Sequence, residues 1–381
     1  MAGPGATEPS GLLGKMSPAA LVDRREIRQT DAGIFGEPNG FSWRVARALR
    51  VEPRFDIVHD NQSLGYGLLP LRRRMPVTAT IHHPLSVDRR IALEHTTERL
   101  ARTGVQRFYR CTAMQARVAR RLERVLTVSD RSRQDIARDF SVPEGRIDVV
   151  PVAVDDTVFR PLPATRPVPG RIVTTASSDQ VLKGLDVLVR AMVDVRAAHP
   201  TAHLVVVGSM AESGATEQLI RRSGLDGVIS FTSGLSRREL VELYATAEVA
   251  CVPSLYEGFS LPAAEAMACG VPLVSTDGGA LTDVAGPDGD AALIAPAGDA
   301  RRLAARLIEV LGDPTRVPPD HRRAGSGSGR RSLELDPHGR ADRGSLPGGD
   351  RALARRLTAT GDRSMRRHGY GRSARSRSRS P

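Results

Sequence analysis

Two glutamates, one lysine and a histidine pair are the residues of this chain whose types and spacing could do chemistry. Glu257 and Glu265 stand eight positions apart within residues 252–283, VPSLYEGFSLPAAEAMACGVPLVSTDGGALTD. Pro262 opens a short predicted helix, Gly270 closes it, and an apolar run follows at once. Strand, Gly-bearing turn, short helix and strand, in that order, present backbone N–H groups and a helix N-terminus to an anionic ligand. Gly258 permits the backbone to approach that ligand closely. Lys183, in VLKGLD, follows a predicted strand at the start of a helix. A compact ammonium there suits a diphosphate. Only Lys15 and Lys183 are lysines among 55 basic residues, so a lysine kept at this spot is a signal. His82 and His83, in TIHHP, end another predicted strand, at the edge of an open α/β sheet where ligands bind. Each feature also has a plainer reading: a capped turn with two surface glutamates, a solvated lysine, a capping histidine pair.

The elements that must position these residues alternate. Residues 55–59, 77–82, 125–129 and 147–154 read as strands, with a short helix over 64–74 and a long Arg-rich helical pattern over 87–123. Asp130 reads as the N-cap of a helix through Phe140. A proline-rich stretch, 161–170, reads as a linker. Beyond it, 172–176, 203–208, 228–232, 247–252, 271–275 and 292–295 read as strands, with helices between them and a last helix over 299–311. The alternation predicts an α/β protein of two Rossmann-like doubly wound domains, residues 34–160 and 171–313. Residues 1–33 are weak in pattern, and 314–381 have no apolar period, a composition expected to be disordered.

The net charge of +12 sits almost wholly in the last segment, where 17 arginines against 6 acidic residues leave +11. The body is near neutral, which argues against a nucleic-acid-binding core. The terminal SARSRSRSP would bind RNA by charge, with Tyr370 the one aromatic of the whole 314–381 segment, and deletion of 314–381 tests that weaker reading. Cys111, Cys251 and Cys269 form no C-x-x-C pair, so neither a zinc ribbon nor a disulfide framework is indicated and reduced cytosol is the default compartment. No apolar run approaches the ~20 residues of a membrane span, which leaves peripheral attachment open.

The segment holding Glu257 and Glu265 resembles the E-x7-E nucleotide-sugar site of GT-B glycosyltransferases, in particular the retaining family 4 group. The likeness extends over residues 34–313, through VSDRSRQDI at 128–136, VPVAVDDTVFRP at 150–161, the K-G of Lys183 and the Gly278-Gly279 turn with Asp283. It implies a GT-B fold and transfer of a sugar from a UDP- or GDP-sugar to a hydroxyl acceptor with retention. It also implies roles. Glu265 would accept both ribose hydroxyls, and Glu257 would hold the donor sugar. Lys183 would meet the diphosphate. The turn Gly258, Phe259, Ser260 and Leu261 would offer N–H groups to sugar or phosphate, and His82 or His83 would face the donor sugar. No metal or other cofactor is implied: no D-x-D motif ends a strand, and Asp155-Asp156 is an acidic pair in a loop.

The chain departs from the family pattern at Ser178, where an arginine normally shares the phosphate with the lysine. Weaker donor binding, or compensation by another arginine, is the expectation. Ala153 replaces a usual glycine and Asp283 a usual glutamate. No strand and Gly-rich loop is legible before Phe55, and no bracing C-terminal helix after Asp313, so the first domain reads as incomplete and the ends as truncated or out of frame. The competing reading is an inactive remnant that at most binds nucleotide.

Overall fold

The computed structural model describes residues 26–51, 55–176, 180–211 and 214–317. Among these residues ten strands form two parallel sheets. The first has the order β1-β2-β3-β4, from β1 (Val58–Asn61), β2 (Val77–Thr80), β3 (Val125–Thr127) and β4 (Ile147–Val149). The second has the order β10-β9-β8-β5-β6-β7, from β5 (Arg171–Thr175), β6 (His203–Val207), β7 (Ile229–Thr232), β8 (Val249–Val252), β9 (Leu273–Thr276) and β10 (Leu293–Ala295). The order reverses between β5 and β8, and at such a switch point the carboxyl ends of neighbouring strands open a crevice.

Period-2 alternation sorts the second sheet's side chains onto two buried faces. Ile172, Leu204, Val206, Val249, Cys251 and Val274 pack under the helices Leu185–Ala198 and Ala300–Gly312. Val173, Ala250, Val252 and Leu273 pack on the other face, under Arg237–Ala245, Leu261–Ala268 and Leu281–Ala285. The first sheet has its own core, in which Val77, Ala79, Val125 and Ile147 meet Met114, Val118, Ile136 and Phe140. Val154 and Phe159 lie in the second domain's core, so the chain has crossed over before the proline-rich stretch begins.

Every expected strand is present, and several helix boundaries differ. The long pattern over 87–123 is three helices, Leu85–Glu94, Arg99–Phe108 and Cys111–Ala119. Arg102 Nη1 reaches back to the carbonyls of Leu93 and Thr96, the latter at 2.7 Å, and satisfies the first helix where it stops. Only Leu68–Leu71 of 64–74 is α-helical. Ser129, not Asp130, caps Asp130–Phe140, its Oγ accepting from Ser132 N at 3.1 Å. The helix Glu37–Val51 was not expected, and it stands where the described chain approaches β1. Order continues past Asp313 through a 3₁₀ turn, Pro314–Arg316, to Val317, which is 1% exposed in the second core. The expected disordered tail from 318 onward lies outside the described residues. Among them no helix is long and apolar enough to cross a membrane.

Candidate active site

The loop that leaves β8 is held from three sides. Thr276 Oγ1 donates to the carbonyl of Ser254, Leu255 N donates to Leu182 O at 2.7 Å, and Glu257 N donates to Gly278 O at 3.2 Å. Ala280 N returns to Glu257 O at 2.9 Å. Gly279, at φ +69°, permits this pairing: a Cβ there would lie 2.3 Å from Glu257 O. The Gly278-Gly279 turn is therefore what fixes Glu257's backbone.

Glu257 and Lys183 meet. Lys183 Nζ lies 2.8 Å from Glu257 Oε1, and Ser254 Oγ donates to the same oxygen at 2.7 Å. Lys183 ends the 3₁₀ turn Val181–Lys183. Gly184 follows at φ +61°, where a Cβ would stand 2.1 Å from Pro253 O. Only glycine lets this turn lie against the β8 loop and deliver the ammonium to the carboxylate. Ser178 lies outside the described residues.

Ser260 adopts φ 122°, a left-handed conformation that costs a non-glycine residue about 1–3 kcal/mol. Its Oγ accepts from Ala263 N at 3.4 Å and caps Leu261–Ala268, with Pro262 in the first turn. The amides of Gly258, Phe259, Ser260 and Leu261 find no acceptor among the described residues, and they lead into a helix N-terminus, where backbone N–H groups can meet an anion. Phe259 leans on the second core, and Leu261 is exposed.

Glu265 sits one turn into this helix, partly buried, and its carboxylate has no hydrogen-bond partner among the described residues. Burial pushes its pKa up to about 7, only partly opposed by Arg237. The two glutamates thus differ in state: Glu257 is paired with a cation, and Glu265 is a desolvated acceptor.

The first domain closes on the same loop. Ser129 Oγ donates to Gly258 O at 2.6 Å, and Ser132 Oγ donates to His82 O at 2.9 Å. A Cβ on Gly258 would lie 2.5 Å from His82 O, so glycine is needed here for a second backbone's approach. His82 is exposed, with Nε2 2.9 Å from Asn61 Oδ1. Burial of its ring, and then His83, hold its pKa below the ordinary value. The bond to Asn61 places the proton on Nε2 and leaves Nδ1 as an acceptor. His83 turns elsewhere, its Nε2 2.8 Å from Asp88 Oδ1 and its ring 5.6 Å from that of Tyr256. Of the two candidates, His82 is the more exposed, while His83 packs against Tyr256 of the loop.

Two residues that the sequence did not single out, Gln62 and Tyr256, complete the arrangement. Gln62, at φ 64°, accepts from His82 N at 2.7 Å and donates to His83 O at 3.0 Å, fixing the histidine pair through its backbone. Tyr256 donates to Asp135 Oδ2 at 2.7 Å across the two domains. Asp60, at the end of β1, is structural: it accepts from Ser63 Oγ and Leu64 N. Asp283 takes the backbone N–H of Arg131, another link between the domains, and burial raises its pKa.

Two parallel α/β domains that meet around a glycine-rich loop, with a lysine on a glutamate and unengaged amides at a helix start, define a GT-B glycosyltransferase. The chain matches the family model Glycosyltransferase Family 4 over residues 18–158 and the model Glycosyl transferases group 1 over residues 166–328, and it belongs to the family 4 glycosyltransferases. It is 42% identical over 317 residues to the MMP alpha-(1->4)-mannosyltransferase of Mycolicibacterium hassiacum, covering 82% of this chain and 75% of the relative. It is 30% identical over 285 residues to the D-inositol 3-phosphate glycosyltransferase of Acidothermus cellulolyticus, covering 70% and 62%. Among solved structures, sucrose-phosphate synthase from Thermosynechococcus elongatus superposes with a TM-score of 0.61 at 22% identity, over 84% of this chain and 76% of the other. Anabaena HepE in complex with UDP-glucose superposes with a TM-score of 0.56 at 17% identity, over 74% and 76%. At those identities the structural likeness concerns the fold.

Proposed function

We propose that this protein moves a hexose from a UDP- or GDP-sugar to a hydroxyl acceptor with retention of configuration, and that mannose is the first sugar to test. The observation that carries the reading is the Lys183–Glu257 pair, 2.8 Å apart, beside unengaged amides at the start of Leu261–Ala268. The relative named as a mannosyltransferase, at 42% identity, directs the choice of sugar.

The chemistry follows from the groups present. As the bond between the sugar's anomeric carbon and the diphosphate oxygen breaks, negative charge grows on the diphosphate. The Lys183 ammonium and the helix amides stabilise that charge most where water is excluded. Glu265, desolvated and unpartnered, accepts the 2′ and 3′ hydroxyls of the ribose. Glu257, freed in part as Lys183 turns to phosphate, accepts from hydroxyls of the donor sugar. His82 Nδ1 faces the same sugar from the first domain. The acceptor oxygen attacks the face that the diphosphate leaves, and its proton passes to the departing phosphate oxygen, which preserves the anomeric configuration.

The test is proton NMR of reactions containing GDP-mannose or UDP-glucose with mannoside or inositol phosphate acceptors. A new glycosidic anomeric signal of the donor's configuration is expected. Inverted product from any donor overturns retention, and no product from any of them overturns the transferase reading.

A further inference from the structure

Tyr256 precedes Glu257 directly, and its ring lies in an apolar pocket built from both domains. Val87 and Ile91 of the first domain and Leu182 and Leu255 of the second surround it, leaving it 6% exposed. Its hydroxyl leaves the second domain altogether and donates to Asp135 Oδ2, on a side chain 1% exposed within Asp130–Phe140. Asp135 already has two cations: Arg131 Nε stands 3.2 Å from Oδ2 and Arg138 Nη2 2.7 Å from Oδ1. The phenol is therefore not needed to neutralise this carboxylate. What it adds is a charge-assisted bond that ties the donor-side loop to the first domain. That loop carries Ser254 and Glu257, and its neighbour Leu255 is stitched to the lysine turn through Leu182 O.

We propose that Tyr256 is a positioning residue for the transfer reaction, its hydroxyl bond to Asp135 holding the 254–258 loop so that Glu257 meets donor and Lys183 in one geometry with water shut out. The inference rests on the transferase reading. The tyrosine touches no reacting atom and acts through Glu257.

The experiment compares the wild-type chain with Tyr256→Phe, Asp135→Asn and the double variant. For each, kcat, donor KM, melting temperature and the ratio of donor hydrolysed to sugar transferred are measured. Tyr256→Phe keeps the ring in its pocket and removes one bond to a charged group. It is expected to lower kcat about tenfold to a hundredfold, to leave donor KM within about twofold, and to raise the hydrolysis ratio. The double variant is expected to be no slower than the slower single variant, because both remove one interaction. Wild-type kcat and hydrolysis ratio in Tyr256→Phe overturn the proposal, as do additive losses in the double variant. Hydrogen exchange at the amides of Leu255 and Glu257, which donate to Leu182 O and Gly278 O, separates this from failure of the transferase reading. It is expected to quicken about tenfold in Tyr256→Phe whether or not a donor is turned over, and unchanged exchange also overturns the proposal.

Discussion

Lys183 Nζ stands 2.8 Å from Glu257 Oε1, although the two residues are 74 positions apart and rise from the loops after β5 and β8. Those loops flank the switch point of the second sheet, so the pair marks its ligand crevice. The pair is partly solvated, with side chains 29% and 12% exposed. An ion pair so placed contributes about 1 kcal/mol or less to stability. Its positioning by Gly184, Gly278 and Gly279 therefore makes more sense as preparation of charge for a ligand than as support for the fold.

Glu265 gives a pH signature. Its folded pKa of about 7 lies above the ordinary 4.5, so its stabilising effect is complete below about pH 4.5 and is lost as pH rises through about 7. Above pH 7 the unliganded Glu265→Gln variant should be more stable than wild type by on the order of 1–2 kcal/mol, read by urea unfolding at pH 5 and pH 8.

Ribose hydroxyls donate to a carboxylate, so nucleotide binding should release a proton from Glu265. Affinity for GDP or UDP should climb with pH below about 7, by up to about tenfold per unit, and level off above it. Calorimetric titration between pH 5.5 and 8.5 reads this, and Glu265→Gln should flatten the profile while weakening binding. An unchanged profile in the variant would place the ribose elsewhere.

Gly258→Ala should separate the domains locally, because its Cβ would stand 2.5 Å from His82 O. A loss of about 2 kcal/mol in stability and of most activity is expected. Gly145→Ala, whose Cβ meets nothing within 4 Å, should change stability by less than about 0.5 kcal/mol. Thermal unfolding of the two variants side by side makes the comparison.

The histidines should behave differently. His82→Ala should lower kcat about a hundredfold with little change in melting temperature, since His82 is the exposed member of the pair and, among the described residues, its ring is held only by Asn61. His83→Ala loses the bond to Asp88 and the contact with Tyr256, so it should lower the melting temperature by several degrees and kcat by a smaller factor. Steady-state kinetics and melting curves together would reveal the opposite order, which would move the donor-facing role to His83.

The strands of the second sheet were legible because buried parallel strands are short apolar runs, as at IVTTA and HLVVV, whereas β1 is displaced from the expected 55–59 to Val58–Asn61 and leaves Phe55 and Ile57 exposed. The breaks near Thr96 and Tyr109 were not legible, since the Arg-rich helical pattern runs through them and the cap on the first helix comes from Arg102, beyond the break. The candidate site residues of the second domain could be picked out from local spacing because a loop, a cap and a helix N-terminus carry them. Their pairing could not. Ser129 to Gly258 and Tyr256 to Asp135 join residues 129 and 121 positions apart, and each looks like an ordinary cap or core residue where it stands in the chain. Gln62 was hidden for a related reason: its role depends on a left-handed backbone that its residue type does not advertise.

The most direct test of the account is nucleoside diphosphate release from GDP-mannose and UDP-glucose, with acceptor present, by wild type and Lys183→Ala. Release coupled to sugar transfer is expected in the wild type with at least one donor, if Lys183 has the role assigned to it. A fall of about a hundredfold or more in kcat/KM is expected for the variant, because the charge that meets the leaving diphosphate is gone. Equal release by the two proteins would contradict that role.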